Sequence, residues 1–509
     1  MQNMMKNTKI KAVKGLFFLM ALLLALPACD DRLNDMNQNP NALTKIPDDF
    51  LFATLVRNTF RNNIGRWQQD YGAQFAHQAI SNSWTKAIDQ YYDVSMQGDV
   101  PEELFSGTYR DCIKYSNDII NTNSKEGNVH EVRIAMTEIL AIVNFSKLTD
   151  YFGDIPYFEA GKGKDEIYLP KYDPQKDIYA DMVEQLKIQM AKLEVAKPAD
   201  GYPGQDPMYN NDLGKWARFA NSLRLRLAMR ARFADPAKYN PIIADCLGKP
   251  LIETNSQNAA LQHWDSENGE LYNPWYDLRV NYSAGTYQYN VSEMFVNWLK
   301  STKDPRIGAL IKPISTGEYV GMPNGLVDLA MGNYTRSRIS VPGDLMLARD
   351  QFLYIMTASE IWFLRAEAAL FNIGSGGNAA DLYQKGIATG MEQWGVTKKD
   401  IDDYMANVPE AKLNGTQENQ FRQIATQMWV AFVPNHQEAW NNMKRTGYPV
   451  IPQRNNPLLS KGVTNGYLPK RLKYPYTVEK TLNGANMQEA ITRMGGDKID
   501  TPVWWDVRD

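Results

Sequence analysis

Apolar residues recur every three or four positions through most of the chain, and the longest such stretch, residues 129–152, predicts a helix of about six turns. Gly153-Asp154-Ile155-Pro156 follows it, with Gly and Pro in the order that stops a helix. Asp173-Pro174 then reads as an N-cap and a first-turn proline for the next helix. Its core face is Ile178, Met182, Leu186, Met190 and Leu193. Residues 215–233 predict a third helix, with Trp216, Phe219, Leu223 and Leu227 in a stripe and Arg218, Arg224, Arg226, Arg230 and Arg232 spread around it. These arginines are expected to lay their stems on neighbouring helices and to pair their heads with carboxylates or water, rather than to serve a membrane surface or an anion. Residues 355–371 and 378–394 predict two helices joined by a Gly-rich turn, an αα-hairpin of about tetratricopeptide length. Ala366, Ala368, Ala369 and Ala380 are the small residues that would let helices approach, although the full repeat consensus is absent. Helical spacing returns over 418–432 and 435–444, before a Pro-, Asn- and Gly-rich tail that ends in Trp504-Trp505-Asp506.

Three stretches break the period: residues near 61–98, 260–290 and 312–350. The first contains Trp67, Tyr71, Trp84, Tyr91 and Tyr92; the second contains Trp264, Tyr272, Trp275, Tyr276, Tyr282, Tyr287 and Tyr289 among Asn, Asp, Ser and Gly. Long irregular segments inside a compact domain usually carry function.

The amino-terminal pattern is of another kind. Lys6, Lys9, Lys11 and Lys14 precede an unbroken apolar run over 16–26, then Leu26-Pro27-Ala28-Cys29. That is a secretory signal, too short to span a membrane, with a Cys where the bacterial lipoprotein pathway cleaves. Residues 1–28 are expected to be removed, leaving Cys29 with a diacylglycerol on its thiol and a further acyl chain on the new amino terminus. Each buried methylene contributes about 0.8 kcal/mol, so two or more chains anchor stably. Residues 30–47, Asn-rich and broken by Pro40 and Pro47, suit a flexible tether. Asp35, Asn37 and Asn39 open like a calcium loop, but Pro40 stands where its turn needs Gly and Ile46 where a Glu should close it. Residues 48–509 are then expected to form a single α domain.

Composition narrows the function classes. Loss of the four leader lysines moves the formal charge from -3 to -7, against broad phosphate-backbone binding and so against nucleic acid as a partner. Cys112 and Cys246 read as small buried hydrophobes, although an oxidising compartment permits one bridge. His77, His130, His263 and His436 form no metal-binding spacing, and no nucleophile-elbow or phosphate-loop motif occurs; Gly161-Lys162-Gly163-Lys164 lacks the rest of one. Among 58 acidic residues nothing singles out a catalytic pair. A binding protein without metal or cofactor is expected; an extracytoplasmic glycan hydrolase is the competing class.

Several stretches, taken in order, resemble one family. They are the Cys29 lipobox, Asn37-Gln38-Asn39-Pro40-Asn41, the run 148–156 (Leu148-Thr149-Asp150 through Ile155-Pro156), the run 215–227 (Lys215-Trp216-Ala217-Arg218 through Leu227), Glu438-Ala439-Trp440 with Arg445-Thr446-Gly447-Tyr448-Pro449, and Trp504-Trp505-Asp506. Together they are similar to the SusD/RagB outer-membrane nutrient-binding lipoproteins, in their second SusD-like branch. The resemblance implies a mainly α fold, a tetratricopeptide-like scaffold packed against an irregular, loop-rich ligand-binding part. It also implies exposure at the cell surface and a SusC-like TonB-dependent barrel transporter as partner, with an oligosaccharide, or alternatively a peptide, as cargo. A sugar needs aromatic platforms for its C–H faces and polar groups for its hydroxyl rim. On that reading Trp84, Tyr92, Trp264, Trp275, Tyr276 and Tyr287 are the candidate platform, with Asn273 and Asp277 as polar contacts; core packing is the plain alternative for each.

Overall fold

Burying an arginine requires a carboxylate beside it, and that requirement sets how the helices meet. A computed structural model describes residues 47–61, 71–80, 86–89, 91, 99–269, 271–278, 289–326, 333–335, 337–374, 376–454 and 464–508. The leader, Cys29, the tether up to residue 46, Trp84, Tyr92 and Tyr287 lie outside these residues. Asp48–Asp509 forms one compact unit. Its long helices are α1 (Asp48–Arg61), α2 (Glu131–Phe152), α3 (Gln175–Glu194), α4 (Leu213–Ala231), α5 (Pro236–Leu247), α6 (Ala358–Leu370), α7 (Ala379–Gln393), α8 (Gln417–Ala431), α9 (His436–Thr446) and α10 (Val478–Met494). Among the described residues sheet is confined to short antiparallel pairs, such as Ala259–Leu261 with Leu353–Met356 and Ala79–Ile80 with Asn290–Val291. The fold is mainly α, with sequential helices packed as antiparallel hairpins in a tetratricopeptide-like array: α2 on α3, α4 on α5, α6 on α7, α8 on α9.

Helix α4 is buried almost all round, so the heads of Arg224, Arg226 and Arg230 end inside the protein instead of reaching water, while Arg218 stays partly exposed. Arg226 makes a two-pronged pair with Glu360 of α6 (2.5 and 2.6 Å) and also donates to the Ile355 carbonyl (2.7 Å). Arg230 bridges Asp150 of α2 and Glu438 of α9. Just beyond the helix, Arg232 meets Glu367 of α6 at 2.8 Å, and Arg445 of α9 grips the same carboxylate at 2.5 and 2.7 Å. Burial alone would raise the Glu367 pKa, but the guanidiniums of Arg445 and Arg232 outweigh it and hold the carboxyl below its usual range.

Two expectations are corrected and one is extended. Asp173 does not cap α3: its carboxylate accepts from the Tyr157 and Phe158 amides (3.0 and 2.9 Å), and the first free amide of α3, Gln175, bonds to Asp154 at 2.8 Å. The residue after the stop glycine of α2 therefore caps the next helix. In the α6–α7 hairpin Gly386 and Gly390 also bring the helices close, a contribution that the alanine pattern did not include. A Cβ at Gly386 would lie 2.7 Å from the Phe363 ring, and one at Gly390 2.7 Å from the Ser359 hydroxyl. The tail contains α10, whose buried residues are only Asn483, Met487 and Ala490, too thin an apolar stripe to register as a helical period.

Replacing Glu367 by Gln leaves Arg232 and Arg445 buried without a counter-charge. We expect a loss of about 3–5 kcal/mol, measured as a lower urea midpoint with an unchanged m-value.

Candidate functional site

The second irregular stretch starts where Ala259–Leu261 leaves its short sheet. His263 follows, its Nδ1 donating to the Gln351 carbonyl (3.1 Å). The loop then closes on itself, with the Trp264 amide on the Leu271 carbonyl (3.0 Å), and is tied to the end of α1 by Arg61, which donates to the carbonyls of Tyr272 (2.5 Å) and Gly269 (2.8 Å).

Its underside is packed. The Asn273 amide nitrogen donates to the Met346 and Ala348 carbonyls (3.1 and 3.0 Å), while its oxygen accepts from the Trp275 amide (3.1 Å). Trp275 is buried edge-to-face against His436 and Tyr289, with ring centroids 5.5 and 5.7 Å away. Beneath them, Gln78 donates its Nε2 to the Trp429 carbonyl (2.5 Å), so its Oε1 is the acceptor for His436 Nδ1 (2.5 Å); the Tyr289 hydroxyl donates to Nε2 (2.8 Å). This arrangement fixes a neutral imidazole, and burial pushes the His436 pKa down to about 3.

The outer side is open. Trp264 is 55% exposed. Tyr272 and Tyr276 stand edge-to-face at 5.3 Å, and the Tyr272 hydroxyl donates to the exposed Asp277 carboxylate at 2.6 Å. That hydrogen bond, with burial second, raises the Tyr272 pKa. Arg349 lies 4.5 Å from the Tyr276 ring centroid and pairs with Glu267 at 2.6 Å. The result is an aromatic surface edged by a carboxylate, a guanidinium and a phenol, able to stack on a C–H face and hydrogen-bond around it.

Of the eight ligand-contact candidates, five fall among the described residues and all five lie on this loop. Trp264, Tyr276 and Asp277 are on its open side; Asn273 and Trp275 form the packed side. Tyr272 and Arg349 complete the surface. Tyr272 was within the aromatic stretch, but Arg349 lies far downstream and carries no local signal. The first stretch is held by Arg454, which sits 3.7 Å from the Tyr91 ring centroid and pairs with buried Asp89 (3.4 Å), itself bonded to the Gly325 amide (2.5 Å) and Asn324 (2.6 Å). Among the described residues, no group of three or more His, Cys, Asp or Glu side chains is placed to hold a metal ion, and Cys112 and Cys246 are both buried. No helix there is long and apolar enough to cross a membrane.

A family model, SusD-like_2, described as "Starch-binding associating with outer membrane", matches residues 40–475. Solved structures are similar over nearly their whole length. A chitin-binding protein is 27% identical, with 91% of this chain and 100% of that one covered and a TM-score of 0.78. A SusD homolog from Bacteroides uniformis is 25% identical, with 91% and 99% covered and a TM-score of 0.75. A chitin-binding SusD homolog from Flavobacterium johnsoniae, at 24% identity, 91% and 99% coverage and a TM-score of 0.78, shares the fold. No curated protein matches the sequence.

The neutral His436 makes stability pH-dependent. In the unfolded chain it takes up a proton near pH 6.5, and in the folded chain only near 3, so acidification through that window favours the unfolded state. His263, lowered to about 4 by burial and then by Arg61, acts in the same direction. Unfolding free energy should therefore fall from pH 6.5 to 4.5, and His436→Gln should make that slope shallower. A slope identical to wild type in urea titrations would show that His436 is protonated in the fold. Asn273→Ala, which frees two buried carbonyls and the Trp275 amide, should lower stability by about 1–3 kcal/mol in the same assay.

Proposed function

The chain belongs to the SusD-like family, and from that premise we propose that it captures an oligosaccharide at the outer membrane and hands it to a TonB-dependent barrel transporter. The observation that carries the capture step is the open side of the 264–278 loop. There Trp264 is exposed on the same loop as the Tyr272–Tyr276 pair, and Arg349 and Asp277 supply a donor and an acceptor at the edge of that pair. Flat apolar rings and planar hydrogen-bonding groups match a pyranose, which presents C–H faces and a hydroxyl rim. Asn273 and Trp275 act in this reading as supports that hold the ring-bearing loop in one conformation before ligand arrives, which lowers the ordering cost of binding.

The relatives' descriptions, starch-binding for the family and chitin-binding for two solved structures, favour a neutral glucan or an N-acetylated glycan as cargo. Lipidation at Cys29 would keep the protein at the membrane, and the tether over 30–47 would let it move as a lid over the barrel's mouth while attached. The role is delivery rather than turnover.

A glycan and peptide array probed with the full chain tests the ligand class: signal on glycans supports the proposal, and signal confined to peptides replaces oligosaccharide with peptide as cargo. Because Trp264 is exposed and Tyr276 half-buried, Trp264→Ala and Tyr276→Ala should each leave the fold intact and weaken glycan binding by about tenfold, the loss of one stacking contact of about 1.4 kcal/mol. Unchanged affinity of both variants in isothermal titration would remove this loop from the site.

A further inference from the structure

Helix α9 ends in a second feature that the platform does not use. Its first residue, His436, lies under the platform. Its last turn opens, roughly 16 Å away along the helix, into a cleft of about 750 Å³ between residues 447–451 and the turn 464–468. That volume is in the range of small-ligand sites.

The turn that forms one wall is fixed by backbone geometry. Tyr467 donates its amide to the Thr464 carbonyl (3.0 Å), Arg454 donates its amide to the Gly466 carbonyl (3.0 Å), and Gln453 donates to the Asn465 carbonyl (2.8 Å). Gly466 has φ +82°, and a Cβ there would lie 2.2 Å from the Arg454 carbonyl oxygen, so no other residue fits. Tyr467 is thereby held 56% exposed on one wall, with Val450, 65% exposed, on the other. Exposed Asn465 and Asp500 supply rim donors and acceptors.

The cations around the cleft are already committed. Lys470 pairs with Asp506 (3.2 Å), Arg508 pairs with Glu418 (2.9 Å), and Lys444 donates to the carbonyls of Asp150 and Lys470 (3.2 and 3.1 Å) while lying over the Trp440 ring. Lys470 and Arg508 are neutralised by their carboxylates and Lys444 is buried against carbonyls and a ring, so the cleft favours an uncharged ligand over an anion. An aromatic wall, an aliphatic wall and an uncharged or acceptor rim instead suit a ring with apolar faces and hydroxyl edges. We infer that this cleft is a second binding site, for a neutral saccharide, separate from the 264–278 platform and served by the opposite end of the same helix.

The test uses the full chain on an array of neutral glycans, including malto- and chito-oligosaccharides, with four proteins: wild type, Tyr467→Ala, Trp264→Ala/Tyr276→Ala, and the triple variant. The three rings that are replaced project from folded segments, and matching thermal melts check that each variant is folded. The second site predicts that Trp264→Ala/Tyr276→Ala retains glycan signal, that the triple variant loses about tenfold of it, and that Tyr467→Trp restores it. Loss of all signal in Trp264→Ala/Tyr276→Ala overturns the cleft and leaves the platform. Retained signal indifferent to Tyr467→Ala also overturns the cleft. Signal abolished by Tyr467→Ala alone overturns the platform and keeps the cleft. A wild-type chain that binds no neutral glycan overturns both.

Discussion

A buried guanidinium without a counter-charge would cost several kcal/mol, and a buried carboxylate likewise. This chain buries several of each, and they have to meet. Arg226, Arg230 and Arg232, on and just after α4, reach Glu360 and Glu367 of α6, Asp150 of α2 and Glu438 of α9, while Arg445 closes on Glu367 from the far side. Four helices distant in sequence are thus brought to fixed separations and rotations. Such pairs add little net stability over an apolar core, but they penalise any other packing, so they act mainly on which arrangement forms.

Four of the stretches that carry the family resemblance converge on this network. Asp150 comes from the 148–156 run, Arg226 from the 215–227 run, and Glu438 and Arg445 from the two pieces of α9. Trp505, from the terminal Trp-Trp-Asp, donates its indole N–H to Asp150 at 2.9 Å, beside Tyr179 at 2.5 Å and Asn441 at 3.2 Å. These four stretches are therefore part of the device that holds the helices together. His436 lies two residues before Glu438 on α9 and carries the order outward, because its ring packs against Trp275 and so fixes the height and tilt of the aromatic loop.

Loops that carry no ladder must satisfy their backbone groups in other ways. Asn273 does so for 346–348 and for Trp275, Arg61 does so for Tyr272 and Gly269, and Asp89 with Asn324 and Arg454 does so in the first irregular stretch. These side chains are polar but internal. Two of the candidate contacts, Asn273 and Trp275, have this supporting character, while Trp264, Tyr276 and Asp277 stay open. Composition cannot separate the two groups, because each combines aromatic rings with a short polar Asn or Asp in an aperiodic stretch.

The sequence by itself determined the mainly helical class, most of the long helices and the αα-hairpin near 355–394, since helical period, Gly–Pro stops and capping residues are local properties. It also marked the aromatic stretch near 260–290. It did not reveal that Asp154 caps α3, that Gly386 and Gly390 help set the α6–α7 approach, or that 478–494 is helical, because each depends on what another segment places alongside. The arginines of α4 were expected to pair with carboxylates or water, but which carboxylates Arg226 and Arg230 meet, and at what depth, depended on helices from 80 to 208 residues away along the chain. The same limit governs the site. Only the tertiary structure laid Arg349 over Tyr276 and sorted one side of the loop from the other, because exposure and pairing are properties of the packed fold and not of any window of sequence.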